Sequence, residues 1–79
     1  MQKEEIKVTK IKNRYHARLL IDESVYDEMA CNLKRDIGYI CREILRWYDK
    51  SGGSKWSSAV RKRMGNDTPS GKIWYRKDL

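Results

Sequence analysis

Apolar and basic residues alternate along the first quarter of the chain, as is typical of β-strands with one buried face. In "IKVTKIKNRYHARLLI", residues 6–21, the alternation changes phase at Lys12 and Asn13. A two-residue turn there would pair Ile11 with Arg14, Lys10 with Tyr15, Val8 with Ala17 and Ile6 with Leu19. The pattern therefore predicts a β-hairpin, and a single strand over residues 14–21 behind a basic arm is the alternative.

The next two segments have the spacing of amphipathic helices. Asp22 is placed to cap the first, whose apolar residues recur every four positions at Val25, Met29 and Leu33. Asp36 is placed to cap the second helix. The apolar residues of this helix all fit the i, i+3, i+4 spacing of one helix face, and they are Ile37, Ile40, Cys41, Ile44, Leu45 and Tyr48. The "SGGS" at 51–54 ends this second helix.

The composition changes after this glycine pair. Residues 54–65 predict a short helix with Trp56, Val60 and Met64 turned inward. The segment "KIWYRK", residues 72–77, is either a short edge strand or an aromatic and basic tail that orders on a partner. The fold class is therefore α+β: an N-terminal strand or hairpin, two amphipathic helices, and a short C-terminal helix with an aromatic-basic tail.

Length and charge predict one domain with basic flanks. Residues 1–50 would form the core and residues 51–79 a basic extension, within a chain of 79 residues and formal net charge +7. The charge is +3 over residues 1–22, −1 over residues 23–50 and +5 over the extension. Only 39% of residues are hydrophobic and Phe is absent, so a thin core favours a homodimer.

The sequence has few residues of the types that catalyse reactions or bind metals. His16 is the single histidine, and no acid stands at a spacing that would orient it. Cys31 and Cys41 are ten residues apart and lack a C-x-x-C spacing. We therefore expect no enzyme, metal or cofactor. The absence of a signal-like or membrane-length apolar run predicts a cytoplasmic protein with both thiols reduced.

Nucleic-acid binding has more support in the sequence. Arg14, His16 and Arg18 would project from one strand face, with further basic charge nearby at Lys7, Lys10 and Lys12. A second basic group is Arg61, Lys62 and Arg63, and the tail contributes Trp74, Tyr75, Arg76 and Lys77, where cations flank aromatic rings that could stack on bases. The competing interpretation leaves the charged strand face in water and packs the tryptophans into the core.

The two segments "YHARLLIDESVYDEM" and "DIGYICREILRWYDK" together resemble the ribbon-helix-helix repressors of bacteria, plasmids and phages, over residues 14–50. This resemblance implies a homodimer whose two strands form an intermolecular ribbon in the major groove of DNA. It also implies a transcriptional regulator of phage or mobile-element type. Carried over by position, His16, Arg18 and Leu20 would read bases, and Asp36, Ile37 and Gly38 would lie near phosphate.

Two other functions fit the same sequence. One is a monomeric α+β interaction protein, such as a phage-type inhibitor, which binds a host protein or a ribonucleoprotein. The other is binding of RNA or single strands through Trp74 and Tyr75.

Overall fold

The computed structural model describes residues 3–64 and 73–75. Within them, a four-stranded antiparallel sheet of order β3-β2-β1-β4 is covered on one face by two helices. The strands are β1 (Glu4–Ile11), β2 (Arg14–Ile21), β3 (Ser24–Cys31) and β4 (Ile73–Tyr75). The helices are α1 (Ile37–Lys50), which follows a 3₁₀ turn at Lys34–Asp36, and α2 (Ser58–Met64). This β-β-β-α-α-β order is consistent with the α+β class.

The hairpin of β1 and β2 has the register that the alternation predicts. Val8 pairs with Ala17 and Ile11 with Arg14 across the turn at Lys12 and Asn13. Lys12 adopts a φ of 55°, in the left-handed region. The alternative of a single strand behind a basic arm is wrong, because all eight residues of β1 pair with β2.

The first predicted helix is wrong, because its residues form the edge strand β3. Asp22 and Glu23 have φ values of 49° and 72° and make a two-residue turn, so Asp22 does not cap a helix. Its side chain instead accepts a hydrogen bond from the Lys3 amide at 2.9 Å. The supposed apolar stripe is not buried either, since Val25 is 57% exposed and Leu33 is 48% exposed.

A β-bulge explains why the strand pattern was missed. Leu19 pairs with Asp27 but Leu20 pairs with Val25, so Tyr26 is an extra residue in β3. An inserted residue breaks the two-residue period of a strand and leaves three- and four-residue spacings that a helix would also give. Bulges are common on edge strands, where they hinder pairing with other chains.

The ribbon-helix-helix architecture is therefore overturned. That architecture needs β2 to pair with its symmetry mate, but β2 is hydrogen-bonded on both sides within its own chain, to β1 and to β3. The place of its first helix is taken by β3. Neither the intermolecular ribbon nor a dimer required by it follows from this fold.

The core lies between the helices and one sheet face. Its sheet side consists of Ile6, Val8, Ala17, Leu19 and Trp74, all at most 2% exposed. The apolar stripe predicted for α1 is buried as expected, at Ile37, Ile40, Cys41, Ile44, Leu45 and Tyr48. The short C-terminal helix is also present, and Trp56, Val60 and Met64 are buried as predicted.

The buried carboxylate of Glu4 connects three segments of the chain. It accepts hydrogen bonds from the Tyr48 hydroxyl at 2.9 Å, the Ser54 hydroxyl at 2.9 Å and the Trp56 indole N–H at 3.0 Å. Burial and the bond to Glu4 raise the pKa of Tyr48. Gly53 packs so closely that a Cβ atom there would overlap the Tyr48 ring. The glycine pair therefore also brings the loop after α1 against this cluster.

The two thiols are expected to differ strongly in reactivity. Cys41 is fully buried, which raises its pKa to about 12, whereas Cys31 is partly exposed and has a pKa raised mainly by burial. Because the thiolate is the nucleophile, iodoacetamide at pH 8 should alkylate Cys31 roughly 100-fold or more faster than Cys41. Mass spectrometry of the native protein measures both rates. Comparable rates would contradict the burial of Cys41 under α1.

Candidate nucleic-acid interface

The side of the sheet that faces away from α1 and α2 is called here the outer sheet face. Side chains alternate along a strand, so the outward residues are those between the core residues. Its described members are Glu5, Lys7, Thr9 and Ile11 of β1, Arg14, His16, Arg18 and Leu20 of β2, Val25, Glu28 and Ala30 of β3, and Ile73 of β4. No helix among the described residues covers this face.

Four of the predicted binding residues lie together on this face. Arg14, His16 and Arg18 occupy successive outward positions of β2, as predicted. Lys7 lies directly opposite Arg18 on β1. Lys7 and Arg14 are exposed, while the side chains of His16 and Arg18 are 18% and 37% exposed. Lys12 is exposed at the tip of the hairpin, at one end of this face.

Glu28 of β3 joins two of these residues. Its carboxylate accepts a short hydrogen bond from Nε of Arg18 and lies 3.7 Å from Nδ1 of His16. The hydrogen bond from Arg18 lowers the pKa of Glu28, so this carboxylate stays ionised through the neutral range. The acid therefore offsets part of the basic charge and also fixes the position of one guanidinium.

Arg14 has an analogous partner at the end of β3. Its Nε donates to the side-chain oxygen of Asn32 at 3.1 Å. Both arginines of the outer sheet face are thus held through Nε by a residue in or just after β3. Sequence reasoning missed Glu28 and Asn32 because it placed both in a helix, and no local signal identifies them once β3 is missed.

The basic group of α2 does not join the outer sheet face. Arg61, Lys62 and Arg63 belong to a helix that packs through Val60 and Met64 on the core side of the sheet. The guanidinium of Arg63 lies 5.3 Å from the centre of the Trp74 ring. The two basic groups therefore occupy different layers of the protein.

The aromatic tail is also placed differently from the nucleic-acid prediction. Trp74 is 2% exposed and packs in the core, so its ring does not offer a surface for stacking bases. Tyr75 lies in β4 opposite Glu5. The edge-strand interpretation of the tail is correct for residues 73–75, while Arg76 and Lys77 lie outside the described residues.

The phosphate contacts implied at the start of the second helix have little structural basis. Asp36 is the N-cap residue of α1, but its side chain makes no capping hydrogen bond. Ile37 is fully buried and Gly38 is buried as well, which leaves Asp36 as the polar side chain among these three residues. A carboxylate there would repel a phosphate.

Other kinds of site receive no support from the described part of the chain. Within residues 3–64 and 73–75, no three His, Cys, Asp or Glu side chains are arranged as metal ligands would be. No helix within those ranges is long and apolar enough to cross a bilayer. No protein-family model matches the chain, and no curated protein or solved structure is significantly similar to it. The geometry of the outer sheet face is therefore the main guide to function.

Proposed function

We propose that the protein binds duplex DNA through its outer sheet face and acts as a regulator by occupying its site. The observation that carries this proposal is the set of basic side chains on a sheet face that no described helix covers: Lys7, Arg14, His16 and Arg18, with Lys12 at the hairpin tip. Lysine and arginine that neutralise phosphates release counterions, which is the main source of affinity for DNA.

The shape of the hairpin supports a duplex target. The major groove of B-DNA is about 12 Å wide and admits two β-strands about 4.8 Å apart, but not a flat four-stranded sheet about 14 Å across. The hairpin of β1 and β2 carries all five of these basic or titratable residues. β1 and β2 are the central strands of the sheet, but their end at Lys12 extends past Lys7, where the described pairing with β4 stops. This end of the hairpin would enter the groove, with Lys12 against the DNA backbone.

The composition of the face disfavours a single-stranded target. Proteins that bind single strands stack bases on aromatic side chains. The described side chains of the outer sheet face include no tyrosine or tryptophan, and Trp74 is buried on the other side of the sheet. RNA or single-strand binding through Trp74 therefore has less support than duplex binding.

A salt titration tests this proposal. The four permanent cations that are proposed to contact DNA are Lys7, Lys12, Arg14 and Arg18, and they should give a slope of about −3 to −4 for log affinity against log salt concentration. Affinity for a mixed-sequence duplex should then fall roughly 60- to 250-fold between 50 and 200 mM salt. Fluorescence anisotropy with a labelled 24-base-pair duplex measures this change. No binding, or binding that salt leaves unchanged, would contradict the proposal.

A second candidate function is binding to another protein through α1. Tyr39 and Trp47 are 54% and 56% exposed on the solvent side of α1. A shallow groove of about 250 Å³ is lined there by Tyr39, Arg42, Glu43 and Arg46. Tryptophan, tyrosine and arginine are the residues most enriched at binding hot spots. Absence of duplex binding in the salt titration would favour this candidate, which corresponds to an inhibitor or interaction protein.

A further inference from the structure

The two arginines of β2 share an unusual mode of support. In each, Nε is the donor that the protein uses: Arg18 donates from Nε to Glu28, and Arg14 donates from Nε to Asn32. Among the described residues, neither guanidinium forms another hydrogen bond or ion pair. The four terminal Nη–H groups of each arginine therefore have no acceptor among the residues described.

Bonding through Nε leaves the Nη1 and Nη2 groups of each guanidinium able to bind an external acceptor. A free arginine side chain carries about 2 kcal/mol of rotamer entropy, which it must lose when it binds a rigid target. An acceptor at Nε removes part of that freedom in advance and fixes the plane of the guanidinium. The Nη1 and Nη2 pair then forms a fork whose spacing matches two acceptors in one plane.

The acceptor pair that fits such a fork in duplex DNA is O6 and N7 of guanine. These two atoms lie side by side on the major-groove edge, and arginine is their commonest bidentate partner. Two phosphate oxygens can also accept this fork, but contacts to phosphate carry no sequence information. Anchoring at Nε therefore suits either acceptor, and a dependence of affinity on the positions of guanines would distinguish base reading from phosphate binding.

We propose that Arg14 and Arg18 read two guanines of duplex DNA, with Asn32 and Glu28 as positioning residues. This inference rests on the proposed function and specifies its target. The two Cα atoms are four residues apart on one strand, which is about 13 Å at the strand rise. That distance corresponds to about three to four base-pair steps along a duplex, so the site should contain guanines with that spacing.

The rival role for Glu28 is simple competition with DNA. In that role the carboxylate occupies Arg18 and must be displaced by a phosphate, and Glu28 contributes nothing to base selection. When the Glu28 carboxylate is removed, the positioning role predicts a loss of base selectivity and the competing role predicts no change in it. Both predict tighter non-specific binding, since the face gains one unit of net positive charge.

The first test compares 24-base-pair duplexes that each contain two G·C pairs in an otherwise A·T sequence. The guanines are placed one, three, four or seven steps apart, on the same strand or on opposite strands. Spacings of three or four steps should bind roughly ten-fold more tightly than the others, because both arginines are then satisfied. Replacing guanine by 7-deazaguanine, which lacks the N7 acceptor, should abolish that advantage.

The second test uses Glu28→Ala and Asn32→Ala with the same duplexes. Glu28→Ala removes the acceptor of Arg18 Nε, so it should raise affinity for an all-A·T duplex and reduce the ten-fold preference to two-fold or less. Asn32→Ala leaves the net charge unchanged, so it should reduce the preference for guanine spacing and leave the affinity for the all-A·T duplex unchanged. Both side chains are exposed, and a thermal unfolding curve for each variant verifies that the fold is intact.

The outcomes separate this inference from the proposed function. Equal affinity for all spacings, with steep salt dependence, would overturn guanine reading and leave duplex binding intact. A spacing preference that survives both substitutions would overturn the positioning roles of Glu28 and Asn32. Absence of binding to every duplex would overturn both proposals.

Discussion

Glu4→Ala is expected to lower the free energy of unfolding by about 3 to 5 kcal/mol, the largest effect of any single polar substitution considered for this protein. The change removes an acceptor that receives three hydrogen bonds and leaves the buried indole N–H of Trp56 without that partner. A domain of this size has a total stability of roughly 4 to 12 kcal/mol. The variant should therefore be close to unfolded, which urea denaturation followed by circular dichroism will measure.

Glu4→Gln gives a graded version of the same test. One amide oxygen can replace the carboxylate oxygen shared by Tyr48 and Ser54, but the amide N–H₂ would then face the N–H of Trp56. With two N–H donors facing each other, the free energy of unfolding should fall by about 1 to 3 kcal/mol. Glu23→Gln, at an exposed turn position, is the matched control and should change stability by less than about 0.5 kcal/mol. Equal effects at both positions would contradict the role given to Glu4.

The Glu4 cluster also bears on the outer sheet face. Glu4 begins β1 and fastens it to the end of α1 and to the loop that carries Trp56. Three residues further along β1, Lys7 is held opposite Arg18 by the register of the hairpin. The cluster on the core side therefore anchors the strand that carries one of the proposed DNA contacts.

Periodicity was sufficient to predict the elements with an unbroken pattern. The change of phase at Lys12 fixed the register of β1 with β2, and the helical stripe from Ile37 to Tyr48 defined the buried face of α1. In both cases one face is buried along the whole element, so the order of apolar residues reports the structure directly. The shared face of Arg14, His16 and Arg18 follows from the same alternation.

β3 could not be predicted in this way for two physical reasons. The bulge at Tyr26 removes the strand period, and the turn at Asp22 and Glu23 adopts positive φ values without the glycine that normally marks such turns. β3 is also an edge strand, so much of its apolar surface is exposed and gives a weak pattern. A pattern that does not predict β3 also cannot identify Glu28 and Asn32 as the hydrogen-bond partners of the two arginines.

The burial of Trp74 could not be predicted from the sequence for a different reason. An aromatic residue among cations suits base stacking as well as core packing, and the local sequence is the same in both cases. The choice is made by β4, a three-residue strand that pairs with β1 far away in the sequence and turns Trp74 towards Ile6 and the core. Such long-range pairing is not encoded in the few residues around Trp74.

The double substitution Arg14→Ala and Arg18→Ala should reduce affinity for duplex DNA by roughly 100-fold. It removes two phosphate or base contacts, so the slope of log affinity against log salt concentration should become about 2 units less steep. Arg18→Ala alone should have the greater effect of the two single changes, because it leaves the Glu28 carboxylate uncompensated on the outer sheet face. Fluorescence anisotropy at two salt concentrations measures both quantities.

Arg42→Ala with Arg46→Ala is the charge-matched control. Both arginines are exposed on α1, in the layer behind the sheet, so this variant loses the same net charge from the other side of the protein. If the outer sheet face binds DNA, the control should keep its affinity within about three-fold, since exposed charges further away than a Debye length of about 8 to 10 Å are largely screened. Equal losses in the two double variants would show that net charge alone drives binding, and the outer sheet face would then have no special role.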